Sequence, residues 1–195
     1  MLERGRTGRI GVGTATLRAA PVGGLGAWYT VRQQTPSCPP DYFIQNGRGE
    51  EVIRVTCVPP HTRDTLVFRD PSGIELYRTA APAGSSVAMM EVRRPDGSVA
   101  ATVHNAMLSP VWDRWRIEVP GGEGMVAAGN LLHHEYALRR GVDTIAVVSK
   151  TWVPRRDTYG VMVHDPANLP LVLAVAVVLD LLVHARPGDS APADP

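Results

Sequence analysis

From Trp28 to Val163 the chain alternates short runs of apolar and polar residues with turn signals, and it then closes on one apolar run, Leu169 to His184. Several runs alternate strictly. Trp115, Ile117 and Val119 fall on one face of an extended segment, Arg116 and Glu118 on the other, the signature of a half-buried strand. Turn residues join the runs in pairs. Phe43-Ile44 leads through Asn46-Gly47-Arg48-Gly49 to Glu51–Val55, and Thr65–Phe68 through Asp70-Pro71-Ser72-Gly73 to Ile74–Tyr77. Val87–Val92 leads through Arg94-Pro95-Asp96-Gly97 to Val99–His104, and Trp115–Val119 through Pro120-Gly121-Gly122 to Met125–Ala128. His134–Arg139 leads through Arg140-Gly141 to Thr144–Trp152, and Asp157–Val163 closes the series. Glycine and asparagine supply the positive φ of such turns, and proline fixes their first position.

Strands at roughly 12-residue spacing predict an all-β meander, sandwich or barrel. With ten to twelve antiparallel strands and one inner face, a closed barrel is the simplest solution, because closure removes the sheet edges.

The final run has no polar face, so lipid or protein must surround it. A spanning helix needs about 20 apolar residues. Pro170 to His184 offers about 15, rising about 22 Å. Asp180 lies inside the run, where a carboxylate in a bilayer is costly, and the flank Ala185-Arg186-Pro187-Gly188-Asp189 has one positive charge and no aromatic anchor. The pattern therefore predicts a helix over about 170–184 that fills the barrel, and no transmembrane segment. A buried Asp180 must be paired or hydrogen-bonded, to a barrel-wall partner such as Arg, Tyr or a backbone N–H near the mouth, a bond that His184, one turn on, could share. Asp180 and His184 are read as structural, buried polar residues.

Composition changes this picture little. The chain has 195 residues and a formal net charge of +1, so its global charge calls for neither nucleic acid nor an anionic membrane. Lys150 is the single lysine among 20 basic residues. Cys38 and Cys57 border Pro-rich turns and form no CxxC pair, so a bridge between them stays open and a reducing compartment is the default. Residues 1–26 read as a basic, Gly-rich disordered leader without an apolar signal core, and 186–195 as a disordered tail. Between them, 27–185 reads as one domain.

Candidate chemistry is sparse. His133 and Glu135 would share one face of a strand, but two ligands do not make a site, and nothing in the spacing commits His104 or His164 as a third; no metal is expected. Gly8-Arg9-Ile10-Gly11-Val12-Gly13 lacks the ending of a phosphate loop, and no GxSxG or catalytic cysteine signature occurs. Neither a cofactor nor an enzymatic activity is expected. Lys150, Arg155 and Arg156 bracket Trp152 and form a candidate patch for a lipid phosphate. Trp112-Asp113-Arg114-Trp115 is a second candidate.

One set of residues resembles a known family. Ser149-Lys150-Thr151-Trp152, Asp157-Thr158-Tyr159-Gly160-Val161 and Val178-Leu179-Asp180 ending in His184 match the S-K-x-W, D-T-Y-G-V and V-x-D-x-x-x-H pattern of bacterial LURP-one-related proteins. His134-Glu135-Tyr136, the Trp115–Val119 strand and the Phe43-to-Gly47 hairpin stand in the family's order, and the resemblance spans about Trp28 to His184. It implies the tubby C-terminal-like fold, a twelve-stranded antiparallel barrel around a central hydrophobic helix, shared with tubby domains and phospholipid scramblases. Tubby domains bind phosphoinositides, scramblases are calcium-dependent membrane proteins, and plant LURP-one-related proteins are linked to defence. No Asp-rich calcium loop appears here, and fold does not carry function across such a set. The expectation is a non-enzymatic, cytoplasmic module that binds anionic phospholipid at a membrane surface. The alternative is a protein-interaction or stress-response adaptor with no lipid role.

Overall fold

The structure, a computed structural model, describes residues 26–34, 41–58, 65–82, 89–105 and 113–184. Cys38, Trp112, the leader before Gly26 and the tail from 185 onward lie outside the described residues. Twelve strands follow one another: β1 Ala27–Gln34, β2 Asp41–Asn46, β3 Glu51–Cys57, β4 Leu66–Arg69, β5 Glu75–Ala80, β6 Met89–Arg93, β7 Val99–Asn105, β8 Asp113–Glu118, β9 Met125–Asn130, β10 Glu135–Arg140, β11 Asp143–Ser149 and β12 Thr158–Val163. Each pairs antiparallel with its neighbours, and β1 pairs with β12, so the sheet closes into a barrel.

Local chemistry makes the hairpins. Asn46 Oδ1 accepts from the backbone N–H groups of Arg48 and Glu50. Asp70 Oδ1 does the same for Ser72 and Ile74, and Asp96 Oδ1 for Ser98. A short side-chain acceptor that satisfies turn N–H groups is what selects Asn and Asp at these tips. Gly129 sits at φ 141, and a Cβ there would meet the carbonyl oxygen of Glu135 at 2.5 Å, so no larger residue fits opposite Tyr136.

Helix α1, Leu169–Val183, follows a 3-10 turn at Pro166–Asn168 and runs back through the barrel. Asp165 starts the turn, accepting from Ala167 N at 3.2 Å, while Arg140 holds the same carboxylate at 3.0 Å. Leu171 through Leu181 are buried on every side. They meet inward-facing Val31, Ile44, Val55, Phe68, Val92, Val103, Ile117 and Leu138, each less than 1% exposed. With its leading turn, Pro166–Val183 is long and apolar enough to cross a membrane by composition. Here it is mostly enclosed by the barrel wall, which supplies the apolar surroundings such a surface requires.

Two elements differ from expectation: the strand expected over Thr144–Trp152 leaves the sheet after Ser149, and the one expected from His134 starts a residue later. His134 is not in a strand: Leu131–His133 form a 3-10 turn, His134 takes the left-handed conformation (φ 55°, ψ 41°), and β10 starts at Glu135. His133 and Glu135 therefore do not share a strand face. The missed signal is Asn130, whose Oδ1 accepts from His133 N at 3.2 Å and folds the chain into that turn.

Candidate functional site

The hairpin tips and the start of α1 lie at one end of the barrel. At the other end are the C-terminus of α1, the Leu131–His134 turn and the β11–β12 loop, Lys150–Asp157. Two features share this second mouth.

The first is a carboxylate held by two imidazoles. Asp180 is 8% exposed. Its Oδ1 lies 2.6 Å from His134 Nε2 and 3.0 Å from His184 Nδ1. His184 Nδ1 also lies 2.9 Å from the Asp180 carbonyl oxygen, and its Nε2 donates to the Leu132 carbonyl at 3.3 Å. The His134 ring stacks on Tyr159 at 4.5 Å and on His184 at 5.1 Å. The wall partner of Asp180 is thus not an Arg, a Tyr or a backbone N–H but a histidine, 46 residues away in sequence. His184 is not buried as expected: its side chain is 41% exposed, because it caps the helix where the mouth opens. Among the described residues, His134 Nδ1 and the hydroxyls of Tyr136 and Tyr159 are buried without a hydrogen-bond partner.

Burial alone would push the Asp180 carboxyl upward. Hydrogen bonds and charge from His134 and His184 outweigh it and hold the group down at about 2. The hydrogen bond to Asp180 raises His184 to about 9 against some desolvation. Burial, reinforced by the negative Asp180, drives the phenols of Tyr136 and Tyr159 up. A lowered Asp180 contributes stability above 3.8 that is lost as pH falls through 2. A raised His184 contributes stability below 6.5 that is lost as pH rises through 9. Both describe one ion pair, counted once. Unfolding in chelator-containing buffer should therefore show maximal stability between about pH 4 and 6.5. On the acid side the loss should reach about 2 kcal/mol. On the alkaline side it should be about 1 kcal/mol, since solvent screens the half-exposed His184. His184→Ala should flatten the alkaline limb; an unchanged limb would refute the assignment.

The second feature is the β11–β12 loop. Glu135 Oε1 accepts from Ser149 Oγ at 2.8 Å, Lys150 N at 2.9 Å and Thr151 N at 3.1 Å, which fixes the start of the loop. Trp152 is half-buried, its ring 5.2 Å from Trp28. Trp28 in turn lies over Gly160, where any Cβ would overlap the indole. Lys150, Arg155 and Arg156 are exposed. Arg32 on β1 stands opposite Thr158 and, with Arg54, packs over the Phe43 ring at 5.7 and 5.3 Å. Arg32 carries no local sequence signal for this loop, because only barrel closure brings β1 to β12.

The remaining candidates do not converge. His133 bonds Asn130 and His104 bonds Glu118. Trp115 is in the core and Arg114 is exposed on β8.

A family model described as LURP-one-related matches residues 28–180. The chain belongs to the LURP-one-related family. It also resembles the X-ray structure of a protein from Arabidopsis thaliana, with a TM-score of 0.58 and 13% identity over 78% of this chain and 90% of that one. That likeness supports the fold alone. No curated protein matches the chain. The LURP-one-related motif residues now have positions. Trp152 and Gly160 build an aromatic layer outside the wall with Trp28. Tyr159, Asp180 and His184 meet around His134 inside it.

Proposed function

We propose that this LURP-one-related barrel is a non-enzymatic binding module whose β11–β12 rim docks on the headgroups of an anionic phospholipid surface. One observation carries the reading. Arg54, Arg78, Arg93 and Arg140 are each paired with a carboxylate, from Glu51, Glu75, Glu91 and Asp165. Lys150, Arg155, Arg156 and Arg32 are exposed together beside the β11–β12 loop and, like Arg48, Arg114 and Arg116 elsewhere, have no such partner among the described residues, so their charge is available to an external anion. The half-buried Trp152 and Leu132, 54% exposed on the adjacent turn, give this rim the mixture of cations and apolar groups that suits a membrane interface.

Co-sedimentation with vesicles tests it. Binding is expected to mixed phosphatidylserine–phosphatidylcholine vesicles and not to phosphatidylcholine alone, and it should weaken with salt. Each cation near such a surface contributes about fivefold in affinity. The triple variant Lys150→Ala, Arg155→Ala, Arg156→Ala should therefore bind about a hundredfold more weakly while melting at the same temperature. Salt-insensitive binding, or binding equal in the triple variant, would sink the proposal.

A further inference from the structure

His134, Asp180 and His184 bring three metal-ligating side chains to one point, and their donor atoms all lie within 4.8 Å of one another. Asp180 and His184 project from the same face of α1, one turn apart, while His134 reaches in from the wall. Around a tetrahedral ion with bonds of about 2.0–2.2 Å, donors stand about 3.4 Å apart. The present spacings of 2.6 and 3.0 Å are hydrogen-bonding ones, and side-chain rotations that open them by about 0.8 and 0.4 Å would reach that value.

Two independent observations point to a cation. The first is the orientation of the His184 ring. Its Nε2 faces the Leu132 carbonyl, which can only accept, and Nδ1 is the atom turned toward Asp180 and the shared point of the cluster. The Nε2–H to carbonyl bond is also the outer contact that ligating histidines ordinarily make. The second is His134, a wall residue only 8% exposed, whose Nε2 is turned onto the same Asp180 oxygen that His184 Nδ1 faces, so two imidazoles and one carboxylate converge at one point.

We propose that His134 Nε2, Asp180 Oδ1 and His184 Nδ1 bind a divalent transition-metal ion of the zinc type. The fourth position is open at the barrel mouth, where His184 is 41% exposed. Two imidazoles with one carboxylate suit zinc-type ions; calcium takes six to eight oxygens. The ion takes the place of protons at the two ring nitrogens, so affinity weakens as pH falls. The bound ion would cross-link the C-terminus of α1 to the wall.

Titration calorimetry of the full, chelator-stripped chain with zinc alone tests the site, with cobalt absorption as a second readout. The expected result is one equivalent bound, a visible cobalt spectrum of tetrahedral type and a higher melting temperature. Affinity should fall more than about a hundredfold in His184→Ala and in His134→Asn, and stay unchanged in His133→Ala. His184→Ala leaves the His134–Asp180 contact in place, so its folding is secured separately by circular dichroism. Absence of zinc binding to the folded chain, equal affinity in His184→Ala, or loss in His133→Ala would overturn the site. Calcium binding of equal strength would overturn its zinc-type character.

Discussion

Val175→Asp is expected to leave no soluble, folded protein. Val175 lies at the centre of α1, is completely buried, and is enclosed by apolar side chains of the barrel wall. A carboxylate there would meet no donor. Taking an unpaired charge out of water costs several kcal/mol, comparable to the 5–15 kcal/mol by which a domain of this size is stable. Asp180 shows what tolerance requires: it sits five residues on, at the mouth, with two imidazoles on one oxygen. Soluble yield, far-ultraviolet circular dichroism and a melting curve measure the effect. A variant that melts like the parent protein would mean that α1 does not fill the barrel.

The second large effect concerns His134. His134→Asn should destabilise the chelator-treated protein by about 3 kcal/mol in urea unfolding. Asparagine tolerates the left-handed backbone that His134 adopts, so the loss reports the Asp180 contact and not added strain. The value lies at the low end for a broken buried pair because His184 still faces the carboxylate. Combining it with Asp180→Leu should recover part of the loss, since the stranded charge is then gone. If the double variant is destabilised by the sum of the singles, the two residues are not coupled and the cluster does not hold the helix.

The strands and turns were legible because their causes are local. Alternation places Trp115 and Ile117 inward, and Asp70, Asp96 and Asn46 satisfy backbone groups two to four residues away. The helix was legible because an apolar surface on every side admits few surroundings. His134 fits the strand periodicity but stands in a turn. The Asn130 side chain competes with the ladder for the backbone there, a contest that periodicity does not register.

The sequence by itself determined the antiparallel strand order, the hairpin tips and an apolar core helix carrying one carboxylate, because each follows from residues within a few positions of one another. Only the tertiary structure decided that Asp180 pairs with His134 across 46 residues, that His184 stands at an open mouth, and that Arg32 joins the loop of Arg155 and Arg156. Those juxtapositions depend on the register at which β1 meets β12 and on the depth to which α1 enters the barrel. Both are set by the closure of the whole sheet, in which every strand must bury its inner face at once.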